Sequence, residues 1–363
     1  ERLKTHSSSK KSLDGNYVES DLPLLIQRRG MAIWEDGIVK ILDRRKLPNQ
    51  VDFIVCKTSE DVAVAIENMA IQGAFSISIA AGYGLALSLK NNCSMSDLNN
   101  ASARLISTRP TGIALKKVIA NCQKTAMDAM DNNLCPLSAV IELTSKVASD
   151  LAKQAQKTAQ YAISVLNEGD TILTHCFPDR SFVYLLVEAK RRDIDLKIIC
   201  SETRPYLQGT KLTAFCSSSL GFKTKVISDG MGGALMQQGL INAFITAADR
   251  VCMDGTVANK IGTYQYALAA RENKVPYYVL RQSGPDLGSN DSSAIEIEER
   301  DGDELTVIEK KNIAPKNVQG FYPAFDITPS DLVTRIITDR GIFMANEIKS
   351  YFDNDSFIAD SLL

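Results

Sequence analysis

Histidine is nearly absent from this chain: its 363 residues include two, His6 and His175. His6 falls in a Ser- and Lys-rich opening stretch, so a single imidazole remains for the body of the protein, and a metal centre built from several histidines is excluded. Closely spaced cysteines are missing as well. The eight cysteines are scattered with no C-x-x-C pair, and several sit inside apolar runs, the usage of a reduced cytoplasmic protein rather than a disulfide framework. No apolar run approaches the roughly 18 residues that span a bilayer. Neither sign of charge is in excess: 41 Lys and Arg stand against 43 Asp and Glu, a net charge of −2, so nothing draws the chain to nucleic acid or an anionic membrane. Residues 1–12 lack the apolar stretch of a secretory signal and are expected to form a disordered tail. The glycines of Asp229-Gly230-Met231-Gly232-Gly233 miss the G-x-G-x-x-G spacing, so no dinucleotide is expected; neither cofactor nor metal is implied. Chemistry is left to carboxylates, thiols, lysines, hydroxyls and one imidazole.

What is there is an ordinary globular composition, 45% apolar and 23% charged, in a length that suits two domains. Residues 31–42 read as a hairpin turning at Glu35-Asp36-Gly37, and residues 52–56 add a strand. A helix is expected over 59–69, capped by Ser59, with Val62, Ala63, Ile66 and Met69 inward. Residues 74–89 are Ala/Gly-rich and apolar all round, a buried helix, and 110–167 is helical almost throughout. From Glu168-Gly169-Asp170 the pattern changes. Strands at 171–176, 196–201, 225–228, 243–248 and 277–281 alternate with helices at 181–192, 207–220, 233–238 and 258–273. The reading is an α/β protein with a disordered tail (1–12), a smaller N-terminal domain of antiparallel strands plus a helical bundle (13–168), and a C-terminal Rossmann-like, doubly wound parallel sheet (169–363).

In such sheets ligands bind beyond the carboxyl ends of the strands. The polar residues closing the strands are Cys176, then Glu202-Thr203-Arg204, then Asp229, then Asp249-Arg250. Taken singly, each has a plainer reading: a buried core thiol, a helix cap, an ion pair, a surface charge. Four strands presenting such groups at one edge is the pattern of an active site. His175, pointing to the opposite face of its strand, is expected to be structural.

Longer runs are more specific. SETRPYLQGTKLTA (201–214), AADRVCMDGTVANKIGTY (247–264), STRPTG (107–112) and PAFDITP (323–329) closely resemble the methylthioribose-1-phosphate isomerases. Their superfamily includes ribose-1,5-bisphosphate isomerases, 5-deoxyribose-1-phosphate isomerases and the regulatory subunits of the exchange factor for eukaryotic initiation factor 2. The resemblance runs from about residue 29 to about residue 343. It implies that Cys176 of T-H-C and Asp249 of A-D-R are the catalytic pair. It further implies that Arg109, Gln208, Asn259 and Lys260 hold the substrate phosphate, together with the loop Gln72-Gly73-Ala74. A small phosphosugar substrate, a homodimer and a role in methionine or 5-deoxyribose salvage follow from the same resemblance. The chemistry fits, because a phosphate on C1 blocks spontaneous ring opening, so an enzyme must protonate the ring oxygen and move hydrogen from C2 to C1. Burial would suit Asp249 as the acid. Cys176 could serve as thiolate base or shuttle a proton during a hydride shift.

Two motifs depart from the family. Its R-G-A-P-A reads Gln72-Gly73-Ala74-Phe75-Ser76 here, and its Asn-x-Gly turn after the thiol reads Phe177-Pro178-Asp179-Arg180. Losing an arginine beside the sugar favours an uncharged 5-substituent, methylthio or deoxy, over a second phosphate. The alternatives are a ribose-1,5-bisphosphate isomerase and a non-catalytic regulatory subunit.

Overall fold

The computed structural model describes residues 17–90, 94–110 and 112–353; the expected tail at 1–12 lies outside them. The described residues form two compact units that divide between Lys153 and Gln154.

In the first unit, β1 (Ala32–Glu35), β2 (Ile38–Leu42) and β3 (Phe53–Cys56) make an antiparallel sheet in that order. Asp36 and Gly37 form the two-residue turn of the hairpin, with φ of 50° and 78°. Helix α1 (Ser59–Glu67) begins at Ser59, and its cap is Thr58, one residue before the expected one. Thr58 is extended, and its hydroxyl accepts from Asp61 N at 3.1 Å while the Asp61 carboxylate accepts from Thr58 N at 2.9 Å, a reciprocal cap Ser59 cannot make from inside the helix. Val62, Ala63 and Ile66 point into the core as expected; Met69 lies past the helix end with φ 57° and is half-buried. Helix α2 (Ala74–Ser88) is buried from Ser76 to Leu87, as its unbroken apolar composition requires. It packs against α1, α3 (Met95–Ser107) and α4 (Ile113–Asp131), and Val140, Val147 and Leu151 of α5 (Pro136–Ala162) complete this core.

The second unit runs β4 (Thr171–Thr174), α6 (Asp179–Arg191), β5 (Lys197–Ser201), α7 (Ala214–Ser219), β6 (Lys223–Ile227), α8 (Gly232–Gln237) and β7 (Ala243–Ala247). It continues with β8 (Arg250–Val251), β9 (Val257–Lys260), α9 (Thr263–Glu272) and β10 (Tyr277–Leu280). Then come β11 (Glu299–Arg300), α10 (Asp303–Thr306), β12 (Val307–Ile308), β13 (Lys311–Asn312), β14 (Tyr322–Pro323), β15 (Phe325–Thr328), β16 (Arg335–Thr338) and β17 (Gly341–Phe343). The main sheet has the order β17-β16-β10-β7-β4-β5-β6, parallel except for the edge strand β17. From β4 the chain steps outward through β5 and β6, returns to β7 on the other side of β4, and steps outward again. This is the doubly wound order, and it reverses direction between β4 and β7. Phe244 and Tyr277 stack at 4.6 Å in its core, with Leu173, Val279 and Ile336 beside them. Truncating Phe244 to alanine would cost about 3–5 kcal/mol.

Two expected helices are corrected. Residues 258–260 belong to β9, because Val257 to Lys260 pair antiparallel with Thr328 to Phe325, a partner too distant in sequence for local periodicity to show; the helix starts only at Thr263. The stretch 207–220 opens with a π-turn, Gly209–Thr213, before α7. There, a Cβ on Gly209 would lie 1.7 Å from the Ser201 carbonyl oxygen, so the turn is pressed against the end of β5. Beyond β11 the chain leaves the body and returns through a neck where Gly302 and Gly320 touch: a Cβ on either would lie 2.1 or 2.0 Å from the other's carbonyl oxygen. Ile308, Ile313 and Val318 are exposed on this excursion. Among the described residues, no helix is long and apolar enough to cross a membrane.

Candidate active site

The reversal between β4 and β7 opens the crevice in which doubly wound sheets bind ligands, and Cys176 and Asp249 lie just beyond the carboxyl ends of those two strands. Cys176 is fixed by its backbone. Its N–H donates to Thr203 Oγ1 at 2.9 Å, and its carbonyl accepts from Thr213 Oγ1 at 2.7 Å. Both partners come from the loop after β5. Cys176, Asp179, Thr203 and Leu207 all hold left-handed backbone, with φ of 63°, 56°, 64° and 60°. For residues with a Cβ this conformation costs about 1–2 kcal/mol each. It is most unusual for β-branched Thr203, whose surroundings must therefore hold it there.

Asp229, at the end of β6, supplies that hold: its carboxylate accepts from Thr203 N and Arg204 N, both at 2.8 Å. Of the four ionisable strand ends, this one is spent on structure, and Arg250 turns to donate to Ala294 O at 2.6 Å. His175 is structural, as expected, and does more than fill space. It is buried; Nε2 bonds Ile261 O at 2.8 Å, and Nδ1 bonds the Ser201 hydroxyl. A carbonyl can only accept, so Nε2 carries the proton and Nδ1 accepts from Ser201. Burial pushes the imidazole pKa down, keeping the ring neutral. The ring thereby ties the residue before Cys176 to the residue after Lys260.

Asp249 is reached by solvent, yet desolvation raises its pKa against the pull of Lys260, Arg300 and Arg281. Its strand end is braced by Arg281, which donates to Ala248 O at 3.1 Å and pairs with both oxygens of Asp286 at 2.9 and 3.0 Å. Desolvation pushes the Cys176 thiol up to about 11; Lys260 opposes that rise and Asp249 adds to it. Lys260, 4% exposed, is pushed down by burial and by Arg300. Its Nζ lies 4.8 Å from the centre of the Phe325 ring and 3.5 Å from Tyr322 Oη, with no carboxylate in salt-bridge range among the described residues. A thiol with a raised pKa, a carboxyl that holds its proton unusually well and an ammonium that sheds one unusually easily make a cluster suited to moving protons.

Gln208 is 6% exposed, and its Oε1, an acceptor, is buried without a hydrogen-bond partner. Asn259 is spent: its Nδ2 donates to Thr263 Oγ1 at 3.0 Å. The structure thus brings Cys176, Asp249 and Lys260 into mutual electrostatic range within the second unit. Gln72, Gly73, Ala74 and Arg109 belong to the first unit. There Gly73, with φ 93°, precedes α2 and makes no side-chain cap; Ala74 is the first helical residue. The Gln72 carbonyl accepts from buried Arg44, which also donates to Ser76 Oγ at 3.1 Å and Gly30 O at 3.2 Å. Arg109 donates to Thr108 O and Ile66 O, both at 2.8 Å, within its own unit.

Sequence reading missed a wall of residues around Lys260. Arg300 pairs with Glu298 at 2.8 Å and lies over Tyr206 and Phe325, at 5.7 and 5.6 Å to the ring centres. Tyr206 donates to Glu304 at 2.6 Å. Asp326 accepts from Gly262 N at 2.7 Å and Tyr264 N at 3.2 Å, capping α9; burial pushes its pKa up to about 6. Of these, only Tyr206, Phe325 and Asp326 fall inside the long motifs. Among the described residues no three His, Cys, Asp or Glu side chains are grouped to hold a metal ion.

The model of the initiation factor 2 subunit family matches residues 70–345. The methylthioribose-1-phosphate isomerase of Koribacter versatilis is 37% identical over 328 residues, covering 86% of this chain and 92% of that protein. That of Thermotoga maritima is 35% identical, covering 85% and 93%. Among solved structures, 5-methylthioribose 1-phosphate isomerase from Pyrococcus horikoshii OT3 superposes with a TM-score of 0.81 at 31% identity, covering 94% of this chain and 99% of that one. The delta subunit of translation initiation factor eIF-2B from A. fulgidus gives a TM-score of 0.73 at 32% identity, covering 86% and 95%. With this extent of match, the chain belongs to the initiation factor 2 subunit family and groups there with the methylthioribose-1-phosphate isomerases.

Proposed function

We propose that the protein is an aldose–ketose isomerase that converts 5-methylthioribose 1-phosphate, or its 5-deoxy analogue, into the corresponding ribulose 1-phosphate. The observation that carries this reading is the pairing of Cys176 and Asp249 at the reversal of the sheet, both in electrostatic range of buried Lys260. Asp249, its pKa raised, donates a proton to the ring oxygen as the bond from that oxygen to C1 breaks. The hydrogen on C2 then reaches C1 by one of two routes. In a hydride shift it moves with its electron pair while Cys176, in the small fraction ionised beside Lys260, takes the proton of the C2 hydroxyl, leaving a ketone. In an enediol route Cys176 takes the C2 hydrogen as a proton and returns it to C1, while the C2 hydroxyl gives its proton to the Asp249 carboxylate, leaving the ketone. Either way C2 is oxidised, C1 is reduced and the phosphate stays attached, so no external electron carrier enters the balance. Lys260 suits the phosphate by its charge, and the family resemblance adds Gln208, whose Nε2 rather than its unpartnered Oε1 would donate to it. The family resemblance gives Arg109, Gln72, Gly73, Ala74 and Asn259 the same ligand, and Arg109→Ala tests that assignment separately. A homodimer and a cytoplasmic location belong to this reading; sedimentation of the purified protein tests the former.

Purified protein should convert 5-methylthioribose 1-phosphate to the ketose. Cys176→Ser and Asp249→Asn should each lower turnover at least about a hundredfold while melting like the parent. The 32% identity to an initiation factor subunit keeps a regulatory role as the second reading, and a wild-type protein that forms no ketose would favour it.

A further inference from the structure

Beside the acid–base cluster stands a wall that no part of the proposed reaction uses. Its cation is Arg300, whose side chain is 13% exposed and whose Nε and Nη2 face the two oxygens of Glu298 at 2.8 and 3.4 Å. Its aromatic faces are Tyr206, Tyr322 and Phe325. Lys260 and Arg300 lie over the same Phe325 ring, at 4.8 and 5.6 Å from its centre, and Arg300 pairs in register with Tyr322 across β11 and β14. A second carboxylate, Glu304, bonds Tyr206 through one oxygen; its other oxygen is buried without a hydrogen-bond partner. The wall therefore holds two carboxylates to one guanidinium, and that guanidinium is already neutralised.

We infer that Glu298, by pairing with Arg300, is the specificity determinant that makes this wall reject a phosphorylated 5-substituent and accept an apolar one. The inference rests on the isomerase reading, in which Lys260 holds the phosphate on C1. On that reading, a sugar gripped there with its far end towards the neighbouring Phe325 ring and Arg300 would bring its 5-substituent to this wall. A second phosphate arriving at that end would meet two carboxylates beside a guanidinium that is already paired, which is unfavourable. A methyl or thioether group would instead meet three aromatic faces, to which sulfur and methyl groups are well matched. The electrostatic reach of Arg300 to Cys176 and Asp249 places the wall beside the reacting atoms.

The test is kcat/KM for 5-methylthioribose 1-phosphate, 5-deoxyribose 1-phosphate and ribose 1,5-bisphosphate, measured on the wild type, Glu298→Gln and Glu298→Gln combined with Arg300→Met. Releasing Arg300 in Glu298→Gln should raise the bisphosphate-to-deoxy ratio at least about tenfold, and the double variant should lose that gain, as for one charge-assisted phosphate contact made and removed. Should Glu298→Gln not fold, Glu298→Ala reads the same ratio. A wild type that prefers the bisphosphate, or a ratio unmoved by either substitution in active enzyme, overturns the inference. A wild type inactive on all three sugars instead overturns the isomerase reading on which it rests.

Discussion

A neutral imidazole that joins two loops has a measurable signature at the scale of a single residue. His175 donates from Nε2 to Ile261 O at 2.8 Å and accepts at Nδ1 from Ser201. Its folded pKa lies below the unfolded value of about 6.5, so its contribution to stability is complete above that pH and is lost as pH falls below it. Glutamine can keep the donor to Ile261 without the titration. His175→Gln should therefore resist acid better than the parent between about pH 6.5 and 5 in denaturant midpoints, whereas equal acid sensitivity would show that the ring titrates freely. His175→Ala, which drops both bonds, should lower kcat more than KM rises if the ring positions the thiol. That Asp249 and Lys260 share one distinctive run, and that Cys176 closes a strand of the same sheet, was legible in sequence. Glu298 and Arg300 were not, since nothing adjacent marks them and their partner Tyr206 lies far back in the chain.

Among the elements, β9 shows where periodicity fails. Residues 257–260 are all buried, Asn259 and Lys260 included, so no amphipathic alternation betrays a strand, and the segment running into 263–272 reads as one helix. What separates strand from helix is Asp326 on β15, which takes the first free N–H groups at the start of α9. Its pKa rises to about 6 through burial, so the folded state favours the protonated form. The sign is opposite to that of His175: its contribution is complete below the unfolded value of about 3.9 and is lost as pH rises through about 6, a swing on the order of 2–3 kcal/mol. Asp326→Asn should remove that part of the pH dependence, read as the difference in unfolding free energy between variant and parent from pH 4 to 7. An unchanged difference would show that the carboxyl is not desolvated in solution. By contrast, the alternation of β4 to β7 with α6 and α8 was legible because it is local, whereas α7 begins at Ala214 rather than at 207.

At the scale of the whole molecule, one doubly wound sheet and one helical unit were both foreseeable from composition that shifts near Gly169, although the compact units divide within α5. Strands β16 and β17 escaped notice because they add to the far edge of a sheet already complete in outline. A phosphosugar bound only by the folded state should raise the melting temperature in step with its concentration, and Lys260→Ala should weaken that rise. The closure at Gly302 and Gly320 has a consequence of another kind. Because the two backbones already touch, the residues between them form an appendix whose removal leaves no gap to span. A shortened chain with 303–319 replaced by two small residues should retain the parent's circular dichroism. It should lose about 1–3 kcal/mol, from the Tyr206–Glu304 and Arg204–Leu305 bonds. The same neck would accept a grafted peptide or reporter domain, making it a natural port for engineering.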